Sequence, residues 1–502
     1  MRALTWQGRR QVEVTEVPDP RIEEPTDAII KVTSTAICGS DLHLYEILGP
    51  YLKPGDVLGH EPMGVVEEVG AGVTHIKPGD RVVIPFNISC GSCWMCSRGL
   101  YAQCETTQNT ETGKGASLFG YTSLYGSVPG GQAEYLRVPQ AHFGPVKVPD
   151  GFSDDRFLFV SDVVPTAWQA VAYADVPDGG TLAIIGLGPI GMMAARIAKH
   201  LSVQRIIGVD LVPERLVLAA SWGFETVDLK AVDDGTKALI EMTGGRGPDS
   251  VVEAVGMEAH GSPGAKLAHT AVGLLPDVLA RPMADKMAID RMNALHTAIK
   301  SVRRGGTVSV SGVYGGEIDP MPMMEMFDRG IQMRMGQCHV HRWMDDLRPV
   351  VTADGDPLGL ESLASHHVPL DQAPEMYETF QKKKDGCFKV VINPFVTDER
   401  STTFRMCKVA KRPCDLSILA APRTWPIVSP LSSLPRAGAH FAHPAGVAAC
   451  SGVTPVGAGL RRTVQGSGRS VQARFFSASG SRFPPVFEPA DPFSSAQPAA
   501  TL

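Results

Sequence analysis

No run of about 18 or more residues is continuously apolar, the length a membrane-spanning helix needs. The chain opens on the alternating run Met1 to Trp6, with no basic segment leading into an apolar one. The expectation is a soluble cytoplasmic protein with no membrane partner. A surplus of basic charge is also missing: the net charge of -6 gives nucleic acid no electrostatic footprint. Cysteine is absent from residue 105 to 337, while five of the ten cysteines fall between Cys38 and Cys104. That clustering excludes a distributed disulfide framework and points to metal ligands in a reducing compartment.

At 502 residues the chain is longer than one core usually supports, so at least two domains are expected. Up to about residue 165, short β-type runs (Ala28 to Thr33, Gly64 to Val69, Arg81 to Pro85, Ala133 to Val138) alternate with Gly, Pro and Asp turns, as in a β-rich barrel-like unit. The rhythm then changes. Strand-like Thr181 to Ile185, a glycine-rich turn, helical Met192 to Leu201 and strand-like Arg205 to Val209 form a β-α-β unit, which predicts a doubly wound parallel sheet. Further strands are expected at Ser250 to Ala254 and Thr307 to Ser311. The stretch between them is too long for an ordinary crossover and includes helical-looking Ala265 to Leu275 and Met283 to Arg303. It reads as an insertion over residues 257–300. Residues 337–396 return to short mixed elements ending in the apolar run Phe388 to Ile392, which could pair into either sheet. From 397 to 502 the composition turns to Ala, Pro, Ser, Gly and Arg without period, so disorder is expected. Twelve Lys or Arg against five Asp or Glu from residue 398 give this tail a surplus of seven positive charges.

The densest chemical signal is Cys90, Cys93, Cys96 and Cys104, four thiols in fifteen residues, suited to closing around one tetrahedral zinc; free thiols or an iron-sulfur cluster are the other uses of such a set. A closed four-sulfur site holds a loop and leaves no position for substrate. A second group, Cys38-Gly39-Ser40-Asp41-Leu42-His43 with Gly59-His60-Glu61, offers a thiolate and an imidazole. Two such ligands and one more would leave zinc an open position, where it acts as a Lewis acid on an alcohol or hydrated aldehyde. With no cysteine between 104 and 338, Asp162 is the candidate for the third ligand, its other role being a helix N-cap. Glu61 is either an exchangeable ligand or a supporting group behind them. Gly186-Leu187-Gly188-Pro189-Ile190-Gly191, between an apolar strand and a helix, can lay its backbone against a pyrophosphate. Asp210 ends the next strand, where a carboxylate accepts hydrogen bonds from ribose hydroxyls and repels a 2′-phosphate, favouring NAD over NADP.

In this order and spacing the residues resemble the medium-chain zinc-dependent alcohol dehydrogenase superfamily, over residues 1 to about 396. Within it, the Cys38 run, the Asp162 context and the insertion after Glu253-Ala-Val-Gly256 are similar to the glutathione-independent formaldehyde dehydrogenase branch. The resemblance implies a GroES-like β-rich catalytic domain over 1–165 with a structural-zinc lobe at 88–105, a Rossmann domain over 166–336, and a return to the catalytic domain over 337–396. It implies two zinc ions per chain, the catalytic one on Cys38, His60 and Asp162 and the structural one on Cys90, Cys93, Cys96 and Cys104. Ser40 and His43 would relay a proton to solvent through the cofactor ribose. Gly39, Thr166, Val255, Gly256, Gly312 and Val313 would line the nicotinamide or ribose, and Arg215 the adenosine. The insertion would hold NAD tightly, which can turn a dehydrogenase into a dismutase. The implied activity moves hydride between NAD and a small primary alcohol or formaldehyde-like aldehyde hydrate, in a homo-oligomer that is a tetramer or dimer. The competing readings are a polyol or amino-alcohol dehydrogenase and, in another class, a non-catalytic NAD- and zinc-binding protein. Trp94, His339 and His341 are candidate pocket or interface groups whose alternative is ordinary packing.

Overall fold

The strand Ala28–Ile37 is the spine of the β-rich part, and its ten residues follow from a nearly unbroken β-branched and small-residue run. In the computed structural model, which describes residues 1–256, 293–314 and 321–396, it pairs antiparallel with Glu61–Val69 on one side and Val390–Asn393 on the other. The seven-stranded sheet continues outward through Arg81–Val83 and Val146–Lys147 and, at the other edge, His366–Pro369, while Tyr135–Val138 pairs with the start of the spine. Gly64 is required here, since a Cβ on it would stand 2.0 Å from the Lys31 carbonyl oxygen of the facing strand. The run Phe388 to Ile392 therefore finds its partner in this first sheet, and residues 366–393 return to it. Expected strand ends move by a few residues: the spine extends to Ile37, past two irregularities in register, and Arg81–Val83 stops before Pro85.

The second sheet has six parallel strands in the order Glu225–Asp228, Arg205–Asp210, Thr181–Ile185, Ser250–Glu253, Thr307–Val310, Gln332–Met335. In chain order that is 3-2-1-4-5-6, the doubly wound Rossmann arrangement, with its switch point beside Thr181–Ile185. The central strands are buried on both faces, as their apolar sequences TLAII and RIIGVD require. The helix after the first strand runs Pro189–His200, starting earlier than its apolar periodicity because Pro189 fits the first helical position.

Asn293–Ser301, inside the stretch expected to be helical from Met283 to Arg303, is a helix whose Ala294, Leu295, Ala298 and Ile299 belong to the core beneath the parallel sheet. It forms part of the connection between Ser250–Glu253 and Thr307–Val310. Residues 257–292, with the helix expected at Ala265 to Leu275, and the tail from 397 lie outside the described residues. No helix among the described residues is long and apolar enough to cross a membrane.

Val163–Ala174 joins the two sheets' regions: it packs on Pro189–His200 and on Thr307–Val310, and its N-terminus receives the chain from the β-rich part. Asp162 sits at that start.

Candidate active site

Two groups of four metal-capable side chains stand out among the described residues, Cys90, Cys93, Cys96, Cys104 and Cys38, His60, Glu61, Asp162. In each, one donor atom per residue lies within 4.8 Å of all the others.

The four-cysteine lobe is built locally. Backbone N–H groups point at the sulfurs: Cys90 donates to Cys104 Sγ at 3.3 Å, and Cys93 to Cys90 Sγ and Cys96 to Cys93 Sγ at 3.4 Å each. Burial pushes the Cys90 thiol up, but hydrogen bonds from Thr106 and from the Ser92 and Cys93 amides outweigh it and bring it down to about 6. The Cys96 thiol is held high by burial and by the sulfurs of Cys93 and Cys104 beside it. Four sulfurs this close ionise together only around a cation, and the set is that of a closed zinc site.

The second group is assembled from distant segments. Cys38 follows the spine strand at the N-cap position of the helix Gly39–Glu46, and His60 directly precedes the next strand, which Glu61 opens. Asp162 occupies the N-cap position of Val163–Ala174 but makes no side-chain cap bond; its Oδ2 instead accepts from the Cys38 thiol at 3.4 Å and lies 3.5 Å from His60 Nε2. The N-cap role weighed for Asp162 is thus not the one its side chain performs. Thr166 Oγ1 steadies it, donating to Oδ1 at 2.6 Å.

Residues that the sequence reading missed fix this geometry. His60 Nδ1 lies 3.1 Å from Asp41 Oδ1, which turns Nε2 toward Cys38 and Asp162. Asp41 Oδ2 accepts from the Cys38 backbone N–H at 3.0 Å and from Gln132 Nε2 at 3.2 Å, and the Tyr377 hydroxyl donates to Gln132 Oε1 at 2.8 Å. Lys389 meets Glu61 at 2.6 and 2.7 Å, both side chains being fully buried. Burial drives the Cys38 thiol up to about 11, with the Asp162 and Glu61 carboxylates adding to it. Burial works against charge on the His60 ring, but Asp41 and Asp162 raise its pKa well above the usual value. A thiol, an imidazole and two carboxylates so arranged have the chemistry of a divalent-cation site, with zinc the natural fit to sulfur and nitrogen donors.

A cavity of about 1080 Å³ runs from Cys38, His60 and Asp162 to Asp210, Arg215 and Lys230. Gly39, Ser40, His43, Thr166, Gly186, Gly188, Pro189, Ile190, Val255, Gly312 and Val313 also line it, while Glu61, Gly191 and Gly256 do not. The last two glycines serve close packing. A Cβ on Gly191 would fall 1.8 Å from the Gly186 carbonyl oxygen, and one on Gly256, at φ +58°, 2.5 Å from the Val313 nitrogen. Ser40 Oγ lies 3.1 Å from His60 Nε2, and His43 is buried on the same helix. Asp210 is already engaged. Its Oδ2 accepts from the Leu187 N–H at 2.6 Å and its Oδ1 from the Leu211 and Val212 N–H groups at 2.6 and 2.9 Å, with Arg215 3.7 Å away. Oδ2 retains a lone pair, and the carboxylate clamps the glycine-rich turn to the next strand.

His339 and His341 are packing groups. The Ala102 N–H donates to His339 Nδ1 at 3.1 Å, and His341 Nε2 donates to the Gly144 carbonyl at 2.8 Å, its ring 4.3 Å from that of Phe143. Trp94 is exposed on the lobe, stacked under the Arg98 guanidinium at 3.7 Å.

A closed sulfur site, a mixed open one and a Rossmann turn facing one cavity define a zinc-dependent nucleotide-linked oxidoreductase. Residues 24–150 match the alcohol dehydrogenase GroES-like domain and residues 189–269 the zinc-binding dehydrogenase domain. A zinc-type alcohol dehydrogenase-like protein of Bacillus subtilis is 41% identical over 398 residues, 78% of this chain and 100% of that protein. The formaldehyde dismutase of Pseudomonas putida is 32% identical over 418 residues, 78% of this chain and 97% of its own. An alcohol dehydrogenase from Thermus sp. ATN1 superposes with a TM-score of 0.64 at 34% identity, over 78% of this chain and 99% of that one. The chain belongs to the zinc-dependent medium-chain alcohol dehydrogenase family, with relatives of the formaldehyde dehydrogenase kind. Its cofactors are zinc and NAD.

Proposed function

We propose that the protein oxidises a small primary alcohol or formaldehyde-like aldehyde hydrate with NAD. The observation that carries this reading is the position of the Cys38, His60 and Asp162 donors at one end of a cavity whose other end is the Gly186 turn and Asp210. In this assignment Cys38, His60 and Asp162 hold the catalytic zinc, with Glu61 within reach, and Cys90, Cys93, Cys96 and Cys104 hold the structural one. Zinc, when bound, supplies Lewis acidity to the substrate oxygen, and NAD accepts the hydride. The chain's own groups do the rest. Asp41 and Thr166 hold His60 and Asp162 in place, and Lys389 holds Glu61. Ser40, facing the cavity, takes the substrate's hydroxyl proton and His43 passes it outward. The amide-bearing turn from Gly186 to Gly191 receives the pyrophosphate at the start of Pro189–His200, with Asp210 on the ribose and Arg215 beside the adenosine. Gly39, Thr166, Val255, Gly256, Gly312 and Val313 shape the nicotinamide end.

The domain assignment that goes with this reading is a catalytic unit over 1–165 and 337–396, carrying the lobe at 88–105, around a cofactor unit over 166–336. We place the protein in the cytoplasm as a homo-oligomer acting on a small-molecule substrate. The test is NADH formation at 340 nm with formaldehyde and a panel of short alcohols, alongside metal content. Turnover with about two zinc per chain supports the reading; one zinc and no turnover on any substrate overturns it in favour of a non-catalytic NAD-binding protein.

A further inference from the structure

One buried carboxylate beside the cavity belongs neither to the donor cluster nor to the nucleotide turn. Glu253 ends the strand Ser250–Glu253 fully buried, behind the residues that line the cavity. Its Oε1 accepts from the Val255 N–H and from the Gly256 N–H, both at 2.9 Å. Its backbone carbonyl accepts from the Ser311 N–H at 2.8 Å and the Gly312 N–H at 3.0 Å. One residue thus holds two loops, Ala254 to Gly256 and Ser311 to Val313, through separate atoms. Burial pushes the Glu253 pKa up, and the Gly256 and Val255 amides and the Tyr314 hydroxyl beside it oppose that rise.

The two loops leave each other no slack. A Cβ on Gly312 would come 2.4 Å from Glu253 Oε2 and 2.3 Å from the Gly256 nitrogen. The contact continues into the nucleotide turn: a Cβ on Gly186 would stand 2.5 Å from Val255 Cγ2, and the Ala254 N–H donates to the Ile185 carbonyl at 2.9 Å. Ala254, Val255, Gly312, Val313 and Tyr314 all line the cavity. A close-packed interior passes a displacement on instead of absorbing it, so a change at the carboxylate reaches this wall through the backbone.

We propose that Glu253 is a positioning residue for the nicotinamide half of NAD, acting through the two loops that its side chain and carbonyl tie together. It touches no reacting atom. This deepens the dehydrogenase reading above and rests on it for the end of the cavity that receives the nicotinamide. The adenosine end, at Asp210 and Arg215, has its own hydrogen bonds and does not depend on this carboxylate.

The experiment compares the affinities of NAD and of ADP, which lacks the nicotinamide half, by titration calorimetry on the full-length zinc-loaded protein. Thermal unfolding is followed beside it. Wild type is expected to bind NAD more tightly than ADP. Glu253→Ala should cut that preference about tenfold, with ADP affinity near wild type. Glu253→Gln keeps the shape and one acceptor for Val255 and Gly256, and should cut it only about threefold. If the alanine variant does not fold, the glutamine variant decides alone. A lower Tm with the NAD preference unchanged overturns the proposal, leaving Glu253 a purely structural group. Equal losses for NAD and ADP overturn it as well, since the whole cofactor site has then loosened. A wild type that binds NAD no better than ADP also overturns it, because there is no nicotinamide contact to position. Absence of NADH from every alcohol and from formaldehyde, with the NAD preference and its loss in the variants as expected, sinks the dehydrogenase reading alone and supports the role of Glu253.

Discussion

The two donor clusters meet the same geometric test and are made in opposite ways. The lobe draws its four sulfurs from residues 90 to 104, and short-range N–H to sulfur bonds hold it without a buried charge network. The mixed cluster draws on residues 38, 60, 61 and 162, and is tied further to Asp41, Gln132, Tyr377 and Lys389. A site that only staples a loop can be written in one stretch of sequence. A site that must leave room for substrate and cofactor needs its ligands on separate walls of a cavity, and the whole fold then becomes its support.

The sharpest way to break the comparison is to remove one sulfur from each. Cys38→Ser should abolish turnover and lower zinc to about one per chain while leaving thermal unfolding and NAD binding close to wild type. Cys104→Ser should also release one zinc, but its main effect should be a lower Tm, because the buried lobe core of Cys90, Cys96, Cys104 and Ala116 loses its centre. Metal analysis, calorimetry and a 340 nm assay on both variants decide it; unchanged turnover in Cys38→Ser refutes the catalytic assignment.

Lys389 tests how far the mixed cluster depends on the fold. Lys389→Met leaves Glu61 as an unpaired buried carboxylate and should cost about 3–5 kcal/mol in urea unfolding. The double variant with Glu61→Gln should regain much of that, since no charge is then stranded. Equal losses in the single and double variants would mean that the lysine stem, and not its charge, is what the core needs.

Asp41→Asn weakens the hold on His60 without touching the metal position. Its expected effect is a 10–100-fold loss of affinity at one of the two zinc sites, about the size seen when a supporting carboxylate behind a ligating histidine is removed. Competition with a chelator reads this directly, and the lobe zinc serves as the internal reference.

What could be read from the sequence follows the same division. The four cysteines, the Gly186 turn and the parallel-sheet rhythm are local patterns, and each was legible. Asp162 was reachable only by elimination, because its place in the donor cluster depends on a side chain that abandons the N-cap bond its position invites. Asp41 had a visible place in the Cys38 run, but its function appears only when His60 folds back against it. Lys389 was the least legible: a lysine in an apolar run reads as an edge residue, and its partner Glu61 is 328 positions away. The extent of the long stretch after Glu253 raises the same difficulty. The helix Asn293–Ser301 continues an apolar period that begins before it, and periodicity alone does not mark where an inserted segment gives way to a helix that supports the sheet.

The smallest effect separates the lobe from its surroundings. Burial holds His341 at about 4, with the Gly144 carbonyl opposing and His75 adding to the depression. A histidine depressed on folding is neutral in the native chain while the unfolded chain takes up a proton below its ordinary pKa of about 6.5. Stability from this ring is therefore fully present above that pH and is lost as pH falls toward 4. His341→Gln preserves a donor for Gly144 and removes the titration. Thermal unfolding followed from pH 7 to 5 should lose Tm less steeply in this variant than in wild type, with zinc content unchanged in both. A slope identical to wild type would place the acid sensitivity of the lobe on other groups and leave His341 as a ring that only fills space between Tyr101 and Phe143.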